Sequence, residues 1–322
     1  MPPRKPARTN GDFATAFERI QSTLEQVVQG KSEQIRLAFV CLIAEGHLLI
    51  EDVPGVGKTL LAKAIAKAIG CSSGRIQFTP DLLPTDITGV SVFDQEHSDF
   101  EFRPGPVFAN IVLGDEINRA SPKTQSALLE AMEERQITVD GVTHKLPEPF
   151  LVIATQNPVE HEGTYPLPVA QLDRFLMRLS IGYPNAQSEL EVLHRHGQHS
   201  ALDEIEAVSN ARQILGMIEL ARQVHVAETL NSYIVELVSS TRETTELTLG
   251  ASPRASLALL RAARAFAASE GREYVIPDDV KALAPSVLAH RLMIAPETEM
   301  SGRSADDVIE DLVGSVAVPI RG

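Results

Sequence analysis

The segment Asp52-Val-Pro-Gly-Val-Gly-Lys-Thr59 restricts this chain more than any other, because of what flanks it: the apolar run His47 to Ile50 before and the helical run Leu60 to Ile69 after. It fits the pattern GxxxxGK[ST] at Gly57, Lys58 and Thr59, with Gly55 inside the loop. Glycines let consecutive backbone N–H groups curl around phosphate oxygens, and the helix that follows adds the positive end of its dipole. On this reading Pro54, Gly55, Val56, Gly57, Lys58, Thr59 and Leu60 form the cradle. Lys58 reaches the β- and γ-phosphates, and the Thr59 hydroxyl is a ligand for Mg²⁺. The first glycine of the pattern is absent. Asp52 stands there, and its carboxylate is expected to turn away from the phosphates.

Four more short apolar runs, Arg75 to Phe78, Ile111 to Leu113, Phe150 to Thr155 and Arg178 to Ile181, alternate with helical stretches. Such alternation predicts a parallel sheet covered on both faces. Asn110-Ile-Val-Leu-Gly-Asp-Glu116 is an apolar strand closed by two acids. Acids often end strands, but downstream of a phosphate loop this pair has a chemical reading: Asp115 holds Mg²⁺ through water and Glu116 polarises the attacking water as general base. The run from Phe150 leads into Gln156-Asn157-Pro158. Asn before Pro is by itself a common turn starter. At the C-terminal edge of an open α/β sheet, however, the Asn157 amide is placed to meet a phosphate or a water.

Two segments read as hairpins inserted into this scaffold: Gln136 to Lys145, with Asp140-Gly141 as the two-residue turn, and Val90 to Phe108. After Tyr183-Pro184-Asn185 the strand-like runs cease, and Ser188 to Glu191, Ser252-Pro253 and Pro277-Asp278-Asp279 read as helix starts. The expected organisation is a mobile tail over 1–11, a nucleotide-binding core over 12–185 and a smaller all-helical lid over 186–322. A length of 322 residues suits about two domains. The balance of 29 Lys and Arg against 43 Asp and Glu, net −14, argues against a chain whose main task is gripping nucleic acid. Cys41 and Cys71 show no CxxC spacing and read as reduced thiols. The longest apolar run, Leu37 to Ala44, is far short of the ~20 residues of a membrane span. Arg4, Lys5 and Arg8 lead into Thr9-Asn10-Gly11-Asp12 rather than an apolar stretch, so a cytoplasmic location is expected.

Together Gly46 to Thr59, Asp115-Glu-Ile-Asn-Arg-Ala120, Ala154-Thr-Gln-Asn-Pro158 and Gln171-Leu-Asp-Arg-Phe175 resemble the MoxR-type branch of the AAA+ ATPases over about residues 17–298. Asp52 in place of glycine is usual in that branch. The resemblance implies an ATP hydrolase requiring Mg²⁺. It sets Asn157 on sensor 1, Arg174 on the arginine finger that reaches a neighbouring subunit's γ-phosphate, and Arg254 on sensor 2 of the lid. It makes the two hairpins the helix-2 and pre-sensor-1 inserts, facing the pore or substrate side. Further, it implies a hexameric ring and chaperone-like remodelling or maturation, including metal insertion, of a protein client with a von Willebrand factor A domain.

Read from the residues alone, Arg174 and Arg178 equally suit surface ion pairs, and Arg254 a salt bridge within the lid. His194, His196 and His199 invite a metal reading, but positions two apart do not share a helix face, which leaves only His196 and His199 as a possible pair and favours a solvated polar face. Phe93, Phe100 and Phe102 could line a substrate groove or pack on their own sheet. Alternatives to the client-remodelling ATPase are a magnesium-chelatase-like motor subunit and a DNA-translocating AAA+ motor.

Overall fold

In the computed structural model, residues 10–53, 55–157, 163–183, 190 and 201–318 are described. The strands in chain order are β1 (Leu48–Glu51), β2 (Ser73–Gln77), β3 (Gly89–Asp94), β4 (Asp99–Pro104), β5 (Ile111–Asp115), β6 (Gln136–Val139), β7 (Val142–Lys145), β8 (Leu151–Gln156), β9 (Met177–Leu179), β10 (Leu247–Leu249) and β11 (Met293–Ile294). All five expected runs become strands of one sheet in the order β2-β5-β8-β1-β9, every neighbouring pair parallel.

The alternation of side chains along a strand shows why both faces are covered. Leu48, Ile50, Ile111, Leu113, Leu151 and Ile153 point to one apolar cluster, while Leu49, Val112, Val152 and Ala154 point to another. The first cluster takes in α1 (Asn10–Glu25), α2 (Ser32–Ile43) and α3 (Lys58–Ala68). The second lies under α4 (Pro84–Thr88) and α5 (Pro122–Glu134), through Ile87, Leu128 and Leu129. Helix starts follow local chemistry. Ser121 accepts a bond from the Thr124 N–H at the head of α5, with Pro122 in the first turn, where no N–H is needed. The helix α1 begins at Asn10, ahead of the apolar periodicity that starts at Phe13.

After the short α6 (Val169–Leu172) and α7 (Ala201–Glu204) come the long lid helices α8 (Ala211–Gln223), α9 (Glu228–Glu243), α10 (Pro253–Ser269) and α11 (Pro277–Leu288), then α12 (Pro296–Met300) and α13 (Ala305–Ser315). The predicted starts at Pro253 and Pro277 are both present. One element was not visible in the sequence: β10 pairs antiparallel with β11, giving the helical lid a small ribbon. Apolar residues of α8 to α11 continue the cluster on the α1–α3 face of the sheet, so lid and sheet share packing. The expected boundary near 185 and the reading of Ser188 to Glu191 lie outside the described residues, as do residues 1–9 of the tail.

Both inserted hairpins form. Between β6 and β7, Asp140 and Gly141 have φ of 51° and 79°, the left-handed pair that a two-residue turn of matching twist requires. Strands β3 and β4 pair from Gly89↔Pro104 to Asp94↔Asp99. Phe102 stacks on His144 of the second hairpin at 4.0 Å between centroids and meets Phe108 edge-on, which joins the two inserts. Cys41 is buried and Cys71 partly buried, and neither is in a disulfide.

Candidate functional site

Strand β8 lies between β1 and β5, so the phosphate loop and the two acids do not sit on adjacent strands. The loop follows β1, Asn157 follows β8 and Asp115-Glu116 closes β5, which brings all three to the C-terminal edge of the sheet. In the loop Gly55 and Gly57 have φ of 87° and 96°, and a Cβ on either would meet nothing within 4 Å. Backbone conformation, not crowding, therefore calls for glycine, and the space above the loop is open to a phosphate chain. Lys58 and Thr59 open α3, with Val56 and Leu60 half-buried beside them. Pro54 lies outside the described residues. Lys58 Nζ donates to the Asp52 carbonyl at 2.7 Å. Burial pushes its ammonium below the usual lysine value, against the pull of Asp52, Asp115 and Glu116. These features fit a Mg²⁺-bound nucleotide: an open glycine cradle, a lysine under acid influence and a hydroxyl at the helix start.

The acids are held in place by neighbours that sequence reasoning missed. The buried Thr155 hydroxyl donates to Asp115 Oδ1 at 2.8 Å and accepts from the Glu116 N–H at 2.9 Å. Arg75 pairs with Asp115 Oδ2 at 2.8 Å. Glu116 adopts φ 57°, a left-handed backbone uncommon outside glycine. Its Oε2 accepts from Gln77 at 3.0 Å and from Arg119 at 3.1 Å. Asn157 is buried at the end of β8. Only the period-2 placement of Arg75 and Gln77 on β2, one strand over from the acids, hinted at this set.

Asp52 does turn from the phosphate side. Its Oδ2 accepts from the backbone N–H groups of Ile181 and Gly182, both at 2.6 Å, and from the Ser180 hydroxyl at 3.3 Å, while Oδ1 accepts from the Val53 N–H at 3.0 Å.

Arg174 and Arg254 are brought together, but elsewhere. Both reach one carboxylate, Glu133, at 3.3 and 2.7 Å. Glu133 sits near the end of α5, where Met132 O accepts from His47 and Arg135 binds Glu45, just before β1 begins. The arginine pair thus lies at the N-terminal edge of the sheet. At least the length of β1, roughly 13 Å at 3.3 Å per residue, separates that edge from the phosphate loop. The pair lines a cavity of about 280 Å³ with Asp173, Arg261 and Arg291, and no loop residue borders it. Asp173 accepts from the Ser252 hydroxyl at 3.0 Å and pairs with the buried Arg291 at 3.4 Å, tying the start of α10 to this edge. Arg178, in contrast, bridges Glu51 and Asp306. His194, His196 and His199 lie outside the described residues, and among the described ones no cluster of three His, Cys, Asp or Glu could hold a metal.

Residues 47–177 match the model of the ATPase family associated with various cellular activities (AAA), and residues 239–312 match the AAA lid domain. The uncharacterized protein YeaC of Bacillus subtilis is 50% identical, with 92% of this chain and 93% of that protein aligned. The chaperone MoxR1 of Mycobacterium tuberculosis is 42% identical, over 94% and 82%. A crystal structure of a candidate ATPase from Cytophaga hutchinsonii superposes with a TM-score of 0.90 at 38% identity, covering 97% of each chain. With a P-loop α/β core, a helical lid and relatives of this closeness, the chain belongs to the MoxR-type AAA+ ATPases and is an ATP hydrolase.

Proposed function

We propose that copies of this chain assemble into a hexameric ring in which each ATP is held by one subunit and completed by the next. The observation that carries this reading is the separation of the two site halves. Loop and acids occupy one edge of the sheet, Arg174 and Arg254 the other, so a single chain cannot close both around one nucleotide. Within the ring, Pro54 to Leu60 cradle the phosphates, Lys58 pairs with the β- and γ-oxygens, and Thr59 with Asp115 holds the metal. Bound Mg²⁺ supplies charge neutralisation on those phosphates. Glu116 accepts a proton from the attacking water, Asn157 orients that water or the γ-phosphate, and Arg174 and Arg254 of the adjoining copy neutralise charge on the transferred group.

Mixing tests the trans arrangement. Lys58→Ala leaves a subunit that cannot bind nucleotide yet offers both arginines, while Arg174→Ala leaves one that binds ATP but serves its neighbour poorly. A trans finger is worth ~10³ or more in rate in other P-loop enzymes. Each variant alone should therefore be nearly inactive, and the mixture should regain a sizeable fraction of wild-type turnover. Additive, near-zero activity in the mixture sinks the proposal.

For the client, we infer a protein with a von Willebrand factor A domain, remodelled or matured, with metal insertion as one form of that work, in the cytoplasm. Three things support a protein client: the relative named a chaperone, a net charge of −14 that disfavours nucleic acid, and two joined hairpins beyond what a minimal P-loop core requires. The von Willebrand factor A domain, the metal insertion and the cytoplasm rest on the family resemblance. Among the described residues no helix is long and apolar enough to cross a membrane.

A further inference from the structure

We propose that Asp52 is a positioning residue that couples the phosphate loop to the segment leaving the core, Ser180 to Tyr183. Two bonds meet in this one residue. Its backbone carbonyl receives the Lys58 ammonium at 2.7 Å, and its carboxylate gathers the N–H groups of Ile181 and Gly182 at 2.6 Å each. Asp52 is buried, 7% exposed as a residue, so its charge is stabilised chiefly by these directed donors rather than by water. A glycine here would serve the cradle as well, since the phosphate-binding N–H groups belong to residues further along the loop. What only Asp adds is the link to the exit segment. That segment is fastened from its other side by Lys31 Nζ, which donates to the Tyr183 carbonyl at 2.9 Å.

When Lys58 turns to a nucleotide phosphate, the Asp52 carbonyl loses its cationic partner. The loop's first residue then relaxes, and its side chain carries the change to Ile181 and Gly182. This rests on the assignment of Lys58 to the phosphates, and the two ideas separate experimentally. The chain holds no tryptophan, so Tyr183→Trp, at an exposed residue, supplies a single tryptophan reporter on the exit segment.

Nucleotide affinity is read independently with a fluorescent ATP analogue. In the Tyr183→Trp protein, MgATP should change the tryptophan emission. Adding Asp52→Gly should abolish that change, lower kcat about 10-fold, and leave the affinity for the analogue within about 3-fold. Asp52→Asn, whose amide oxygen can still accept both N–H groups, should restore part of the emission change and of kcat. The proposal is overturned if Asp52→Gly keeps both the response and kcat, if it loses nucleotide affinity as Lys58→Ala does, or if the parent reporter is silent while binding the analogue. Failure of every variant, the parent included, to bind the analogue would overturn the nucleotide assignment itself and the coupling with it.

Discussion

Thr155 shows how a single hydroxyl can hold two acids of a candidate site together. It donates to Asp115 and receives the N–H of Glu116, the half-buried residue whose φ is left-handed. Thr155→Val keeps the shape and removes both bonds. Hydrogen bonds to charged groups are worth roughly 1.5–3 kcal/mol, so turnover should fall about 10- to 100-fold with little change in KM. Steady-state kinetics beside a thermal melt checks this, and wild-type kcat in a folded Thr155→Val protein would contradict it. Lys58, Thr59, Asp115 and Glu116 were legible because each sits at or just past the end of a strand at a fixed local spacing. Thr155, Gln77 and Glu133 were not, because their partners lie far along the chain: 40 residues for Thr155 with Asp115, 39 for Gln77 with Glu116 and 121 for Arg254 with Glu133.

Among the elements, the five core strands were readable from their apolar runs, since burial on both faces demands them. The β10–β11 ribbon was not, being two or three residues long with Leu249 and Met293 exposed. The first hairpin was readable as a hairpin, yet its phenylalanines divide in a way the sequence hides. Phe100 and Phe102 share a face, but the second hairpin covers only the base, so Phe102 packs on His144 while Phe100 is 67% and Phe93 50% exposed at the tip. Phe93→Ala with Phe100→Ala is therefore the variant that leaves the joint between hairpins intact. In a Glu116→Gln background with ATP, it should weaken capture of a von Willebrand factor A domain protein at least several-fold. In the wild-type background its ATPase should stay within about 2-fold of normal. Pull-down and phosphate release measure the two, and unchanged capture would remove this tip from the client surface.

At the scale of the whole molecule, two buried histidines set an acid limit on stability. His47 accepts the Val152 N–H at Nδ1 and donates from Nε2 to Met132 O, so it is neutral when folded, and burial lowers its pKa to about 3. His290, against Phe175 O, is also lowered well below the usual value by burial. A depressed histidine pKa means that the unfolded chain binds the proton first. The stability is complete above about pH 6.5 and drains away as pH falls toward the folded value. By pH 5 the loss from His47 should reach about 2 kcal/mol, with His290 adding to it in the same direction, read by denaturant unfolding from pH 7.5 to 5. A flat profile across that range would show that these rings are solvated when folded. Glu133, finally, gives every copy a built-in counter-ion for Arg174 and Arg254. In the proposed ring an empty neighbour would offer those cations nothing better than the carboxylate they already have, whereas a neighbour loaded with triphosphate would compete with it. The joint between subunits would then act as a latch that tests the neighbour's load, not merely its presence.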